Sequence, residues 1–127
     1  MNKRFDFLEK EIAGWSNTNF SRSFVAMPET TEEIFSIIKR AVRAGKKVLA
    51  RGAGQSYGDE ALNDRNVAID MSKMNRILEW NKTTGLLRVQ AGVTYEEALI
   101  HCLKDHWILA VIPGTRHVTM GGALSNN

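Results

Sequence analysis

Apolar positions along the chain change period several times, and each change marks an element. Between Pro28 and Gly45 they fall at Ile34, Ile37, Ile38, Ala41 and Val42. That is the i, i+3, i+4, i+7, i+8 spacing of an amphipathic helix. Thr30 followed three residues later by Glu33 is a capping-box signature at its start, and Gly45 is placed to end it in a left-handed conformation. Short apolar runs flank the helix: Phe24 to Met27, closed by Pro28, and Val48 to Ala50. Strand–helix–strand over 24–50 predicts a right-handed parallel crossover.

Further on, Val67-Ala68-Ile69 reads as another short strand. Arg76–Trp80 and Leu86–Ala91 flank Asn81-Lys82-Thr83-Thr84-Gly85, which predicts a hairpin. In its second strand Leu87 and Val89 share one face, Arg88 and Gln90 the other. Thr94 to Glu97 is a second capping box, and the helix behind it turns Ala98, Leu99, Cys102 and Leu103 inward. Ile108 to Ile112 reads as a strand-like run, then Pro113-Gly114-Thr115 as a turn before Val118–Ala123. Residues 1–23 are polar with isolated aromatics (Phe5, Phe7, Trp15, Phe20) and predict a short helix over 4–12 and a loop. The fold class is therefore α+β: a small parallel strand–helix–strand unit, plus a β-hairpin that begins a second subdomain. The expected division is an N-terminal arm at 1–23 and one domain at 24–127.

Composition narrows the function. At 127 residues with 43% hydrophobic and 24% charged side chains, the chain has the make-up of one soluble globular domain. A net charge of +3 invites a nucleic-acid reading. The basic residues are scattered among acids, with no basic stripe and no nucleic-acid motif. Cys102 is the only cysteine, which excludes an intrachain disulfide and fits a reducing compartment. The N-terminus carries no apolar run of signal-peptide length, and no stretch approaches the ~20 apolar residues of a membrane span. A cytoplasmic protein is expected.

The long segment 51–66 is dense in Gly, Asp and Asn, and a loop of that length usually serves a function. Its first part, Ala50-Arg51-Gly52-Ala53-Gly54-Gln55-Ser56-Tyr57-Gly58-Asp59, follows a buried strand directly. Glycines at 52 and 54 permit unusual backbone angles. Successive exposed N–H groups in such a turn make a concave anion site, and Ser56 can add a hydroxyl. The chemistry this suits is holding a pyrophosphate; the plain alternative is a surface turn. Two other phosphate loops are excluded. A Walker loop needs Gly-Lys-Ser/Thr, and Gly58 is followed by Asp59. Gly52, Gly54 and Gly58 approach the GxGxxG fingerprint, with Asp70 near the expected acidic position. A Rossmann unit needs a helix between those points, however, and Tyr57–Asn66 has no helical pattern.

A second candidate is Pro113-Gly114-Thr115-Arg116, followed by Val118-Thr119-Met120-Gly121-Gly122-Ala123. Two glycine-bearing turns, at Gly114 and at Gly121-Gly122, bracket a polar stretch of Thr, Arg, His and Thr, and the small residues allow a flat ligand to lie against the backbone. His101, Cys102 and His106 stand at i, i+1 and i+5 and do not share a metal-binding face, so no metal site is expected. Cys102 reads as a small core residue, His117 as a polar loop residue or a cofactor contact, and Trp80 and Trp107 as packing residues.

Taken in order, Arg-Gly-x-Gly-x-Ser-Tyr-Gly-Asp, Ile-Asp-Met, Ala-Gly-Val and Pro-Gly-Thr-Arg-x-Val-Thr-x-Gly-Gly-Ala resemble the vanillyl-alcohol-oxidase (PCMH-type) superfamily of FAD proteins. Within it the likeness is to the decaprenylphosphoryl-ribose oxidase and aldonolactone oxidase side, which Gly14-Trp15 also matches. The resemblance implies that Ala50, Arg51, Gly52, Ala53, Gly54, Gln55, Ser56, Tyr57 and Gly58 wrap the FAD pyrophosphate. It implies Gly114 and Thr115 near the flavin and ribityl region, with Thr119, Gly121, Gly122 and Asn126 lining the other side. Several relatives carry a flavin-linked histidine at the position of Gln55, and glutamine cannot form that bond, so noncovalent FAD is expected. The resemblance further implies a later histidine-glycine segment and a separate substrate domain. The catalytic base is thus expected outside this chain. The implied function is the FAD-binding portion of an oxidoreductase acting on an alcohol carbon of a sugar or sugar-lipid. A standalone FAD- or nucleotide-binding module is the alternative. With half of the cleft absent, weak FAD binding and self-association are expected.

Overall fold

The computed structural model describes residues 7–126. Four strands form one sheet: β1 (Leu8–Ala13), β2 (Phe20–Ala26), β3 (Val48–Arg51) and β4 (Val67–Asp70), in the order β1-β2-β4-β3. β1 runs antiparallel to β2, with Leu8 opposite Val25 and Ala13 opposite Phe20. β4 is parallel to both its neighbours, so that Val67 faces Phe24 on one side and Val48 on the other. The expected strand–helix–strand unit is present, but β2 and β3 do not touch. β4 occupies the place between them.

Helix α1 (Thr31–Arg43) begins as the pattern predicts. The Thr30 side chain accepts from the Glu33 N–H at 3.2 Å. The Glu33 carboxylate closes the cap one residue early, on the Glu29 N–H at 2.7 Å. Gly45, at φ +67, ends the helix. Its N–H donates to Val42 O and the Lys46 N–H to Ala41 O, the paired bonds of a Schellman cap. Ile37 and Ala41 pack on Ala26, Val67 and Ile69 to make the core, with Ile34, Phe24, Val48 and Met71 at its margin. The helical stripe is wider than the surface that meets it, and Phe35, Ile38 and Val42 stay exposed. Because side chains alternate across a strand, the opposite face of the sheet carries the buried Ser21 and Ser23. Their hydroxyls meet at 2.9 Å, and Ser23 Oγ donates to Asn63 O in the segment after β3.

Past β4, a single 3₁₀ turn at Met71–Lys73 leads to the hairpin β5 (Ile77–Asn81) and β6 (Leu86–Val89), a separate two-stranded sheet. Helix α2 (Tyr95–Leu103) has a complete capping box of Thr94 and Glu97. Trp80 and Trp107 meet edge to face at 6.3 Å, and their indole N–H groups donate to Asp105 Oδ2 and Lys82 O. Both are packing residues, as expected. A short helix, α3 (Met120–Ser125), closes the described chain.

Three expectations are corrected. Leu8–Ala13, which overlaps the helix expected over 4–12, is a strand, since pairing along β2 satisfies its backbone; residues 4–6 lie outside the described region. The run 108–112 forms no strand, because no strand among the described residues pairs with it, and Ile108, Val111 and Ile112 are exposed. The segment around Gly121 and Gly122, expected as a glycine turn, is helical. Thr119 caps it by accepting from the Gly122 N–H at 3.2 Å.

Candidate functional site

The segment leaving β3 is where the predicted residues gather. Ala50 and Arg51 are the last residues of β3, laddered to Ile69 and Asp70. The turn from Gly52 to Gly58 then departs from the sheet. Gly54 has φ +68, and a Cβ there would run into the Arg51 guanidinium. Gly52 is pressed against the N-cap of α3, where a Cβ would meet Thr119 Oγ1. The two glycine-bearing motifs, distant in sequence, are therefore in contact at Gly52 and Thr119.

The hydrogen-bonding state of the turn is its main chemical feature. Among the described residues, no backbone N–H from Gly52 to Gly58 donates a hydrogen bond. Buried or clustered amides are normally paired, so a run of free donors at a glycine turn offers an anion seat. The Gln55 side chain folds back to Ala53 O at 3.4 Å.

The opposite holds at α3. The Met120 N–H donates to Val93 O, the Gly121 N–H to Ala91 O, and the Gly122 N–H to Thr119 Oγ1. These amides are spent on holding 116–121 alongside 91–96, an arrangement continued by a Thr94–Thr119 bridge and by the Tyr95 N–H on Val118 O. Thr119 thus stands against the turn at Gly52, while the amides of 120–122 are already engaged. Asn126 is exposed at the C-terminal end of α3. Gly114 is exposed with open space where a Cβ would stand, and Thr115 Oγ1 accepts from the His117 N–H at 3.3 Å. No hydrogen bond, ion pair or ring contact joins Gly114 or Thr115 to the 52–58 turn among the described residues.

The N-terminal hairpin reaches the same place. The Trp15 N–H donates to Ser56 O at 3.2 Å, and the Trp15 ring meets Tyr57 edge-on at 5.3 Å, with both side chains exposed. In the sequence Gly14-Trp15 is only a mark of resemblance. Gly14 was the available signal for the contact, since a Cβ there would stand 2.8 Å from Gly58 O. Asp70, the acidic residue that mimicked a Rossmann fingerprint, caps the 3₁₀ turn by accepting from the Ser72 N–H at 2.9 Å. Among the described residues no cluster of His, Cys, Asp or Glu could hold a metal ion. Cys102 is buried, and that burial, with Asp105 nearby, pushes its thiol pKa up. No helix is long and apolar enough to cross a membrane among the described residues.

A family described as the FAD binding domain matches residues 23–127. The chain belongs to that family. Decaprenylphosphoryl-β-D-ribose oxidase of Mycolicibacterium smegmatis is 37% identical over 121 residues, which cover 94% of this chain and 26% of the relative. L-gulonolactone oxidase of Mus musculus is 27% identical over 117 residues, covering 91% of this chain and 26% of that one. This FAD-binding domain thus spans about a quarter of the length of these relatives. Among solved structures, cholesterol oxidase from Brevibacterium sterolicum superposes with a TM-score of 0.79 at 20% identity, covering 93% of this chain and 23% of that one. Alkyldihydroxyacetonephosphate synthase gives 0.69 at 23% identity, over 82% of this chain and 22% of its own. The mixed α/β architecture is the fold of these neighbours.

Proposed function

We propose that the 52–58 turn holds the pyrophosphate of FAD by its backbone amides, and that this chain is the cofactor-binding part of a flavin-dependent oxidoreductase. The observation that carries the reading is the run of undonated N–H groups from Gly52 to Gly58 beside Thr119. Ser56 adds its hydroxyl. Thr119, Gly121, Gly122 and Asn126 line the cofactor as a wall of small groups, and Gly114 and Thr115 approach the flavin and ribityl region from the exposed 104–118 segment. The holding unit is 24–127, and the arm at 1–23 lends it Trp15.

FAD, when bound, supplies the hydride acceptor. The chain's own contribution is to bind, orient and wall that group. Gln55 stands where a flavin-linked histidine is found in some members, so attachment is noncovalent. Acid precipitation of the loaded protein should leave the flavin in solution. The substrate we infer is an alcohol carbon of a sugar or sugar-lipid, oxidised with groups supplied by the rest of the enzyme. The names of the mycobacterial ribose oxidase and the murine gulonolactone oxidase support that class. The lone cysteine supports a cytoplasmic setting.

A flavin fluorescence titration with a visible absorbance spectrum tests the site. Saturable quenching is expected for the wild type, and Gly54→Val should abolish it. A β-branched side chain is strained at φ +68 and meets the Arg51 guanidinium. An absence of quenching at saturating FAD, in this chain and in any longer polypeptide that carries it, would overturn the reading.

A further inference from the structure

We propose that Arg51 is a positioning residue that shapes the 52–58 turn from beneath and makes no contact with the bound phosphate. The inference rests on reading that turn as the FAD site. It starts from where the guanidinium goes. Arg51 Nη2 donates to Ala13 O at 2.6 Å, at the end of β1, and Nη1 donates to Ala61 O at 2.9 Å, where the segment folds back toward β4. One side chain therefore ties the hairpin, the start of the loop and its return. It lies half-buried beneath the turn, against Gly54, whose missing Cβ leaves the guanidinium its room.

The consequence reaches the amides through the hairpin. With Ala13 held, Trp15 is placed to donate to Ser56 O, and Gly14 lies close to Gly58 O. In a trans peptide unit the N–H points opposite to the carbonyl it adjoins. Holding the Ser56 carbonyl toward the hairpin therefore turns the Tyr57 N–H away from it. The charge itself is turned elsewhere. Arg51 is laddered to Asp70, and the Asp70 carboxylate opposes the loss of proton affinity that burial imposes on the guanidinium.

The test compares Arg51→Ala, Arg51→Lys, Gly54→Ala and the Arg51→Ala/Gly54→Ala double variant. FAD affinity is read by quenching, and exchange of the Trp15 amide is read by NMR without FAD. Loss of a charge-assisted hydrogen bond in a partly buried site corresponds to about a tenfold or greater change. Arg51→Ala should weaken FAD binding by about that much and speed Trp15 exchange. Arg51→Lys should fail to restore affinity, because one ammonium cannot occupy both guanidinium positions. Gly54→Ala should weaken binding less in the Arg51→Ala background than alone, since the guanidinium it meets is gone. Near-complete recovery with Lys would mean that the charge acts on phosphate, and it would overturn the proposal. So would an unchanged Trp15 exchange rate in a folded Arg51→Ala protein. Should Arg51→Ala not fold, Arg51→Lys carries both measurements. If FAD binds neither this chain nor a longer polypeptide that carries it, the function reading fails separately, and the exchange result alone decides whether Arg51 positions the turn.

Discussion

Single residues account for most of what the two helix ends and the candidate loop do. Gly45 and His106 occupy the same structural position, the left-handed residue after a helix. His106 has φ +63, its N–H donates to Leu103 O, and the Trp107 N–H donates to Cys102 O. A side chain at such an angle costs about 1 kcal/mol relative to glycine. His106→Gly is therefore expected to leave the fold intact and to raise stability by up to about 1 kcal/mol, less whatever the more flexible unfolded chain recovers. Urea denaturation at constant m-value checks this, and a clear loss of stability would show that the imidazole does more than fill the position. Gly45 was readable in the sequence because glycine there is the common choice. His106 was not, since nothing in its chemistry marks a left-handed site. Gly52 and Gly54 were readable as a special turn, but their partners, Thr119 and Arg51, are tertiary facts. Spacing along the chain carries no information about them.

At the level of elements, the helices with strong caps and clear periodicity were the most legible. α1 and α2 begin where Thr30 and Thr94 predict. Thr94→Ala removes the hydroxyl that accepts from the Glu97 N–H, while the residue 94 N–H can still donate to the Glu97 carboxylate, and should cost about 1 kcal/mol, measured as a shift in the urea midpoint. The Thr94 backbone also bridges Thr119, so loosening this end of α2 should also disturb the wall beside Gly52. On the inner face of α2, Cys102 is 2% exposed with its thiol pKa raised by burial. It should resist an aromatic disulfide reagent at neutral pH and react fully in denaturant. Rapid labelling of the native protein would mean that α2 opens locally. β1, the run 108–112 and α3 were misread for one shared reason: local preference was outweighed by what lies alongside. Leu8–Ala13 has helix-forming residues yet finds an edge to pair with. Ile108–Ile112 has strand-forming residues and finds none. Gly121 and Gly122 disfavour a helix, but Thr119 and the 91–96 segment hold one in place.

For the whole molecule, the architecture was legible in outline. The crossover unit and the hairpin were both expected, while the insertion of β4 between β2 and β3 was not. Exposed apolar side chains are spread over the described surface, among them Phe35, Ile38 and Val42 on α1, Ile108, Val111 and Ile112 in the extended segment, and Leu124. Surfaces of this kind favour association. The chain by itself is expected to self-associate and to bind an apolar dye, with an apparent mass above that of a monomer by sedimentation at micromolar concentration. A clean monomer without dye binding would show that these side chains are too dispersed to act as a patch.

The strand order carries a consequence for biosynthesis. β4 is the last strand of its sheet to be made and stands at its centre, between β2 and β3. Until residues 67–70 have left the ribosome, the nascent chain holds a hairpin with an open edge, a helix, and a strand with nothing beside it. The α1 core lacks Val67 and Ile69 during that interval. The β1–β2 hairpin can form early, but the parallel pairings that join it to β3 must wait for β4. The interval before that pairing is when the growing polypeptide most needs shielding by chaperones. Closure on β4 also bends the 51–66 connection into shape, so the 52–58 turn comes into being only when the sheet does.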